Sequence, residues 1–191
     1  MNEEEINWNE MLLESAKNKN FEKVKESIDN GADVNFRHNN HTALCYAVEN
    51  QHIEMTKYLI ENGAYVNIKC MYDFGDMVGI EELAYTDTFK SFLTQTKQLF
   101  LFADNGDADS ISDCLKVGVC VDARRSDSKT ALMIASQKGN YKATITLISA
   151  GANISTKDKD DKTALNYAAE SKNIKLMELL LSRGANSNKN N

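Results

Sequence analysis

The sequence predicts an all-α chain, an α-solenoid of stacked helix-turn-helix repeats with finger loops, and three observations carry that reading. Gly118, Gly151 and Gly184 each follow an apolar run and are spaced 33 residues apart. The triplet Thr-Ala-Leu recurs from Thr42, Thr130 and Thr163, and a glycine follows each threonine 21 residues later, at Gly63, Gly151 and Gly184. The runs before these glycines carry apolar side chains at helical spacing, as in Ile174, Met177, Leu180 and Leu181, so one face seeks the next repeat. A fixed period in the thirties marks a stack of supersecondary units rather than one closed core, and its function is to be sought on its surface.

Each unit reads as two short antiparallel helices and an extended finger. The threonine caps the first helix, because its hydroxyl accepts an amide proton that has no helical partner. Alanines near the middle of that helix let neighbouring units approach closely. The glycine ends the second helix in a left-handed conformation that a β-carbon disfavours, and a β-branched residue there costs on the order of 1 kcal/mol or more.

The first unit is a cap. Leu12, Ala16, Phe21, Val24 and Ile28, then Gly31, Ala32, Asp33, Val34 and Asn35, give its helices and turn. Trp8 reads as a lid on the first core layer. The second unit is regular from Thr42 to Asn67, and its histidines, His38, His41 and His52, lack the spacing of a metal-ligand set. The third unit is degenerate. Gly63 and Gly118 are 55 residues apart, so one unit is present in shortened form. Ile80, Leu83, Ala84, Phe89 and Phe92 match the pattern of the first unit and predict helices at about 79–86 and 88–95, with the following finger cut to a short turn at 93–98. Ahead of it the chain is unusually apolar, with Ile68, Met71, Tyr72, Phe74, Met77 and Val78 around Gly75. These side chains either fold back to fill the gap left by the missing finger or form an exposed partner patch. Units four and five keep the 33-residue register. The sixth ends at Asn188, and Lys172, Lys175, Glu178 and Arg183 suit a solvated C-terminal cap.

At these residues the chain resembles the ankyrin repeat family, and the resemblance covers most of residues 8–188, best over 39–67 and 126–188. It implies an ankyrin-type solenoid, 1–191 as one domain, with repeats at about 7–38, 39–70, 71–96, 97–125, 126–158 and 159–188. The family pattern has proline after the threonine and histidine after the leucine. Here those places hold Ala43, Ala131 and Ala164, then Cys45, Met133 and Asn166. Loss of the bracing histidine predicts a less stable array than a consensus one.

The resemblance also implies a non-catalytic scaffold that binds a protein partner through a concave groove and the fingers. Positions matching the family's variable contact sites are His38, Asn39, His41, Glu49 and Asn50; Asp104 and Asn105; Asp127, Lys129, Gln137 and Lys138; and Asp160, Lys162 and Glu170. Met71, Tyr72 and Phe74 of the apolar segment join them. The alternative is a structural or regulatory subunit that self-associates through the degenerate third repeat.

Composition bounds the rest. Hydrophobic residues make up 42% and charged residues 26%, which fits a folded chain. The net charge of −6 argues against nucleic acid and anionic membrane partners, which reward clustered cations. Arg124 and Arg125 are flanked by Asp122 and Asp127 and read as a solvated loop. The acidic start, Glu3 to Glu5, is unlike a secretory leader, so the expected setting is cytoplasmic and the expected state a monomer. Cys45, Cys70, Cys114 and Cys120 have no metal-ligand spacing and read as four reduced thiols. No catalytic motif, cofactor loop or metal set is found. Asp158, Asp160 and Asp161 lack the glycine and glutamate of a calcium loop.

Overall fold

The computed structural model describes residues 6–66, 68–71, 77–84 and 86–185. They form two compact units, Met1–Leu93 and Thr94–Asn191.

In the first unit, helices α1 (Trp8–Lys17) and α2 (Phe21–Asp29) make one hairpin, and α3 (Ala43–Glu49) and α4 (Ile53–Glu61) make the next. Helix α1 packs on α2 and on α3. Leu12 and Ala16 of α1, Val24 of α2, Leu44 and Ala47 of α3, and Met55 and Leu59 of α4 are wholly buried. Trp8 is half-buried at the start of α1. Thr42 caps α3 by accepting from the Cys45 N–H, as its position in the triplet predicts. His52 caps α4 through the Met55 N–H, and its ring meets Phe21 edge-on at 5.4 Å. That is a packing role.

The degenerate repeat departs from expectation in three ways. A two-stranded antiparallel hairpin, β1 (Lys69–Met71) and β2 (Met77–Gly79), stands where a finger was expected. Its first expected helix is only a 3-10 turn at Ile80–Leu83. The second continues without a break through 93–98 as α5 (Asp87–Asn105), so the short turn predicted there does not exist. The reason lies in residues 87–105, which contain neither glycine nor proline and carry apolar or small side chains at Phe89, Leu93, Thr96, Phe100 and Ala103, all buried, at spacings of three and four. Thr86 opens this helix by accepting from the Phe89 N–H.

A second correction concerns the cysteines. Cys45 and Cys70 form a disulfide, both fully buried, while Cys114 and Cys120 are free thiols. Sequence spacing could not show this, because only the hairpin's return toward α3 brings the two sulfurs together.

The second unit holds the rest of α5, α6 (Ala108–Lys116), α7 (Ala131–Lys138), α8 (Tyr141–Ser149), α9 (Ala164–Glu170) and α10 (Ile174–Ser182). Helix α7 packs on α8 and α9, and α6 on α8. Ala135 and Ala168 are fully buried, as close approach of first helices requires. Thr130 and Thr163 cap α7 and α9, and Asn166 returns a bond to the Thr163 N–H, closing a reciprocal cap. On α10 the face that packs inward is Leu176 and Leu180; Ile174 and Leu181, expected on it, are 70% and 47% exposed.

Side-chain amides join successive repeats. Asn50 donates to the carbonyls of Ala16 and Lys17, both at 3.1 Å, and Asn140 to those of Ala103 and Asp104, at 2.9 and 2.8 Å. These carbonyls end the preceding first helix and have no partner within it. The Asn140 side chain sits against Gly106, which has a φ of +77°; a β-carbon there would lie 3.0 Å from Asn140 Cγ. Fingers are tied in the same manner. Asn35 donates to the Gly63 carbonyl and accepts from the Tyr65 N–H, while Asp122 accepts from the Asn153 N–H.

Candidate functional site

One geometric relationship repeats along the finger bases. The residue just before each of Thr42, Thr130 and Thr163 reaches the side chain eight residues on, near the end of the first helix. His41 Nε2 lies 3.2 Å from Glu49 Oε1, Lys129 Nζ donates to Gln137 Oε1 at 3.3 Å, and Lys162 Nζ to Glu170 Oε1 at 2.6 Å. Six of the sequence-predicted residues therefore fall into three equivalent pairs, one in the first unit and two in the second. A fourth pair links repeats, with Lys138 Nζ 3.1 Å from Asp104 Oδ1. These groups are partly or largely solvated, so the pairs add little to stability and leave their atoms able to exchange partners.

Behind the pairs stand aromatic rings that sequence reasoning passed over. Tyr46 lies one turn into α3 and stacks on the His41 ring, with centroids 4.9 Å apart. Burial, then the charges of Glu49 and Glu14, push its hydroxyl above the ordinary range for tyrosine. Tyr167 holds the equivalent place in α9, with the Lys129 ammonium 4.5 Å from its ring centre and its hydroxyl donating to the Asp158 carboxylate. Burial and then that bond raise the Tyr167 hydroxyl. For Asp158 burial works upward, but the bonds from Tyr167 and from the Lys162 and Asp160 N–H groups prevail and hold it below the usual carboxylate range. The sequence marked this aspartate only as one carboxylate of a charged loop that lacks the pattern of a calcium site. It is instead 7% exposed and braces the finger.

In the first unit a groove of about 430 Å³ runs between α1, the first finger and α3, lined by Glu10, Leu13, Glu14, Lys17, His38, Asn39 and Tyr46. Only His38 and Asn39 of this lining were singled out by sequence. The α1 residues carried a signal, since Glu14 and Lys17 stand in the first repeat where Tyr46 and Glu49 stand in the second, 32 residues on. His38 and His41 exchange backbone bonds across the finger, whose tip turns at Asn39 and Asn40 with φ of 48° and 61°.

The remaining expected contacts divide. Asn50 is committed to the α1 carbonyls and is structural. Asn105 and Asp160 are exposed. Asp127 accepts from the Arg125 guanidinium at 3.2 Å and from the Lys129 N–H. Met71 belongs to β1, whereas Tyr72 and Phe74 lie outside the described residues. The described part of the apolar segment shows Cys70 buried and Ile68 half-buried. No helix among the described residues is long and apolar enough to cross a membrane.

Comparison with known proteins agrees with this architecture. No curated protein matches the chain. A family model for ankyrin repeats, in three copies, matches residues 2–70 and 99–191. The stretch it leaves out, 71–98, holds the last residue of β1, strand β2, the 3-10 turn and the start of α5, where the repeat pattern is lost. With the matched residues covering most of its length, the chain belongs to the ankyrin repeat family.

Proposed function

We propose that this chain is a non-catalytic scaffold that binds a protein partner through its finger bases and the adjoining faces of its first helices. Ankyrin repeats are in general protein–protein interaction modules. The observation that carries the reading here is the repeated pair at His41–Glu49, Lys129–Gln137 and Lys162–Glu170. Backbone position is constant while side-chain chemistry changes from one repeat to the next. Polar groups held on preformed helices and fingers lose little ordering entropy on contact with a partner. Residues 1–191 work as one scaffold of six repeats, without cofactor or metal, and as a monomer.

Alanine substitutions at Glu49, Lys138 and Lys162 test the reading against a partner isolated from the source cell. Affinity should fall while the melting curve stays in place. Unchanged affinity in all three would remove the site. Self-association is tested by sedimentation, where a mass that grows with concentration counts against a monomer. An enzymatic role would show as a rise in melting temperature with added nucleotides, metals or common cofactors, since a native-state ligand stabilises the fold. A cytoplasmic setting belongs to the same proposal, and the disulfide pulls against it because such bonds persist mainly in oxidising compartments. Thiol labelling of the protein as it exists in its source cell decides between them.

A further inference from the structure

The formal charge of the chain is divided unevenly. Residues 1–93 hold 17 aspartates and glutamates against 8 lysines and arginines, a net of −9, whereas residues 94–191 hold 11 against 14, a net of +3. The overall value of −6 conceals this contrast.

The groove of the first unit lies in the acidic half. Glu10 and Glu14 stand one turn apart on α1 and line it, and Glu49 stands beside the lining residue Tyr46, against His41. Lys17 is the one lysine or arginine among the described lining residues. Leu13, 7% exposed, supplies an apolar floor, and the Tyr46 ring supplies an aromatic wall. A carboxylate pair over an apolar floor beside a ring suits a guanidinium or ammonium on an aliphatic stem, which pairs by charge at its tip and packs along its length. The volume of about 430 Å³ has room for a few side chains and not for a folded surface.

We propose that this groove takes an extended segment of a partner protein carrying arginine or lysine. The proposal rests on the reading of first helices and fingers as the protein-binding surface and adds the chemistry of what binds there. Nucleic acid and anionic lipid are disfavoured by the same carboxylates. A second copy, presenting its more basic half, is the occupant that the test must separate.

The test uses the full chain and a fluorescent peptide of about ten residues in which arginine alternates with serine and leucine, with a control in which glutamate replaces arginine. The arginine peptide should bind and the glutamate peptide should not. The double variant Glu10→Gln, Glu14→Gln should weaken binding about tenfold, the size of two partly exposed ion pairs. Raising salt from about 0.05 to about 0.5 M should weaken it further, because exposed charges are screened. Hydrogen exchange should show protection on α1 and α3. Equal binding of both peptides, or an unaffected double variant, overturns the cationic preference; if protection still maps to α1 and α3, the protein-binding reading stands. Protection elsewhere overturns both. No binding at about 1 mM peptide, some 4 kcal/mol by mass action, overturns the proposal, as does a concentration-dependent dimer from which the peptide is excluded.

Discussion

Cys45 in α3 is bonded to Cys70 in β1, 25 residues further along, and so the hairpin that replaces a finger is tied to the second repeat. The family places a histidine at the position of Cys45. The tie joins α3 to β1 at the position where the resemblance implies a bracing histidine.

Closing a loop of this length is worth about 3 kcal/mol through the unfolded chain. Reduction should therefore lower the melting temperature of the first unit by several degrees. The variant Cys70→Ser should melt low with or without reductant. Identical melting of oxidised and reduced wild-type protein would count against the bond.

Asn140 closes the end of α5 through two carbonyls. Asn140→Ala should cost about 1–3 kcal/mol in denaturant unfolding, because both acceptors lose their donor in a partly buried place. Asn140→Asp should be no better, since a carboxylate cannot donate to them. A neutral result for the alanine variant would mean that water replaces the amide fully.

Two glycines separate backbone demand from space. Gly106 and Gly118 both have positive φ, +77° and +88°, but only at Gly106 would a β-carbon meet another side chain, that of Asn140. Gly118→Ala should cost about 1 kcal/mol for its left-handed backbone alone. Gly106→Ala should cost more, and in the Asn140→Ala background the excess should shrink.

The Asp158–Tyr167 pair sets a pH dependence. Asp158 in the folded chain has a lowered pKa, so its contribution is complete above the unfolded carboxylate value of about 4 and is lost as pH falls through the lower folded value. Tyr167 is raised, so its contribution holds below about pH 10 and is lost only as pH climbs past the folded value. Tyr167→Phe should destabilise the second unit by about 1–3 kcal/mol at neutral pH. The gap between the two proteins should narrow in acid. A constant gap from pH 7 to below 4 would show that the carboxylate does not depend on this hydroxyl.

Lys162→Ala and Glu170→Ala should leave the melting temperature unchanged within error, because their pair is solvated at the surface. A clear drop in both would make the pair part of the framework and weaken its role as a contact position.

The regular repeats were legible because their requirements are local. A threonine that must cap, an alanine that must be small and a glycine that must turn leave marks at fixed intervals, and Thr130, Ala135 and Gly151 occupy the places those marks assign. The third repeat was not legible, since a helix spanning 87–105 is specified by what is missing, a breaker between Leu93 and Leu99. The disulfide depends on two residues meeting through a hairpin, which no spacing announces. At the candidate site the repeat register made it possible to name equivalent positions in successive repeats, but their pairing and the placement of Tyr46, Tyr167 and Asp158 depend on side-chain reach.

The asparagine bonds that close the ends of first helices point backward along the chain, from Asn50 to α1, from Asn140 to α5 and from Asn173 to the Gly139 carbonyl at the end of α7. As the polypeptide leaves the ribosome, each helix end waits open for a residue some 34 to 37 positions later in translation. At these three joints the first helix is completed only one module after its own synthesis, and a nascent chain stalled in between carries an unfinished end.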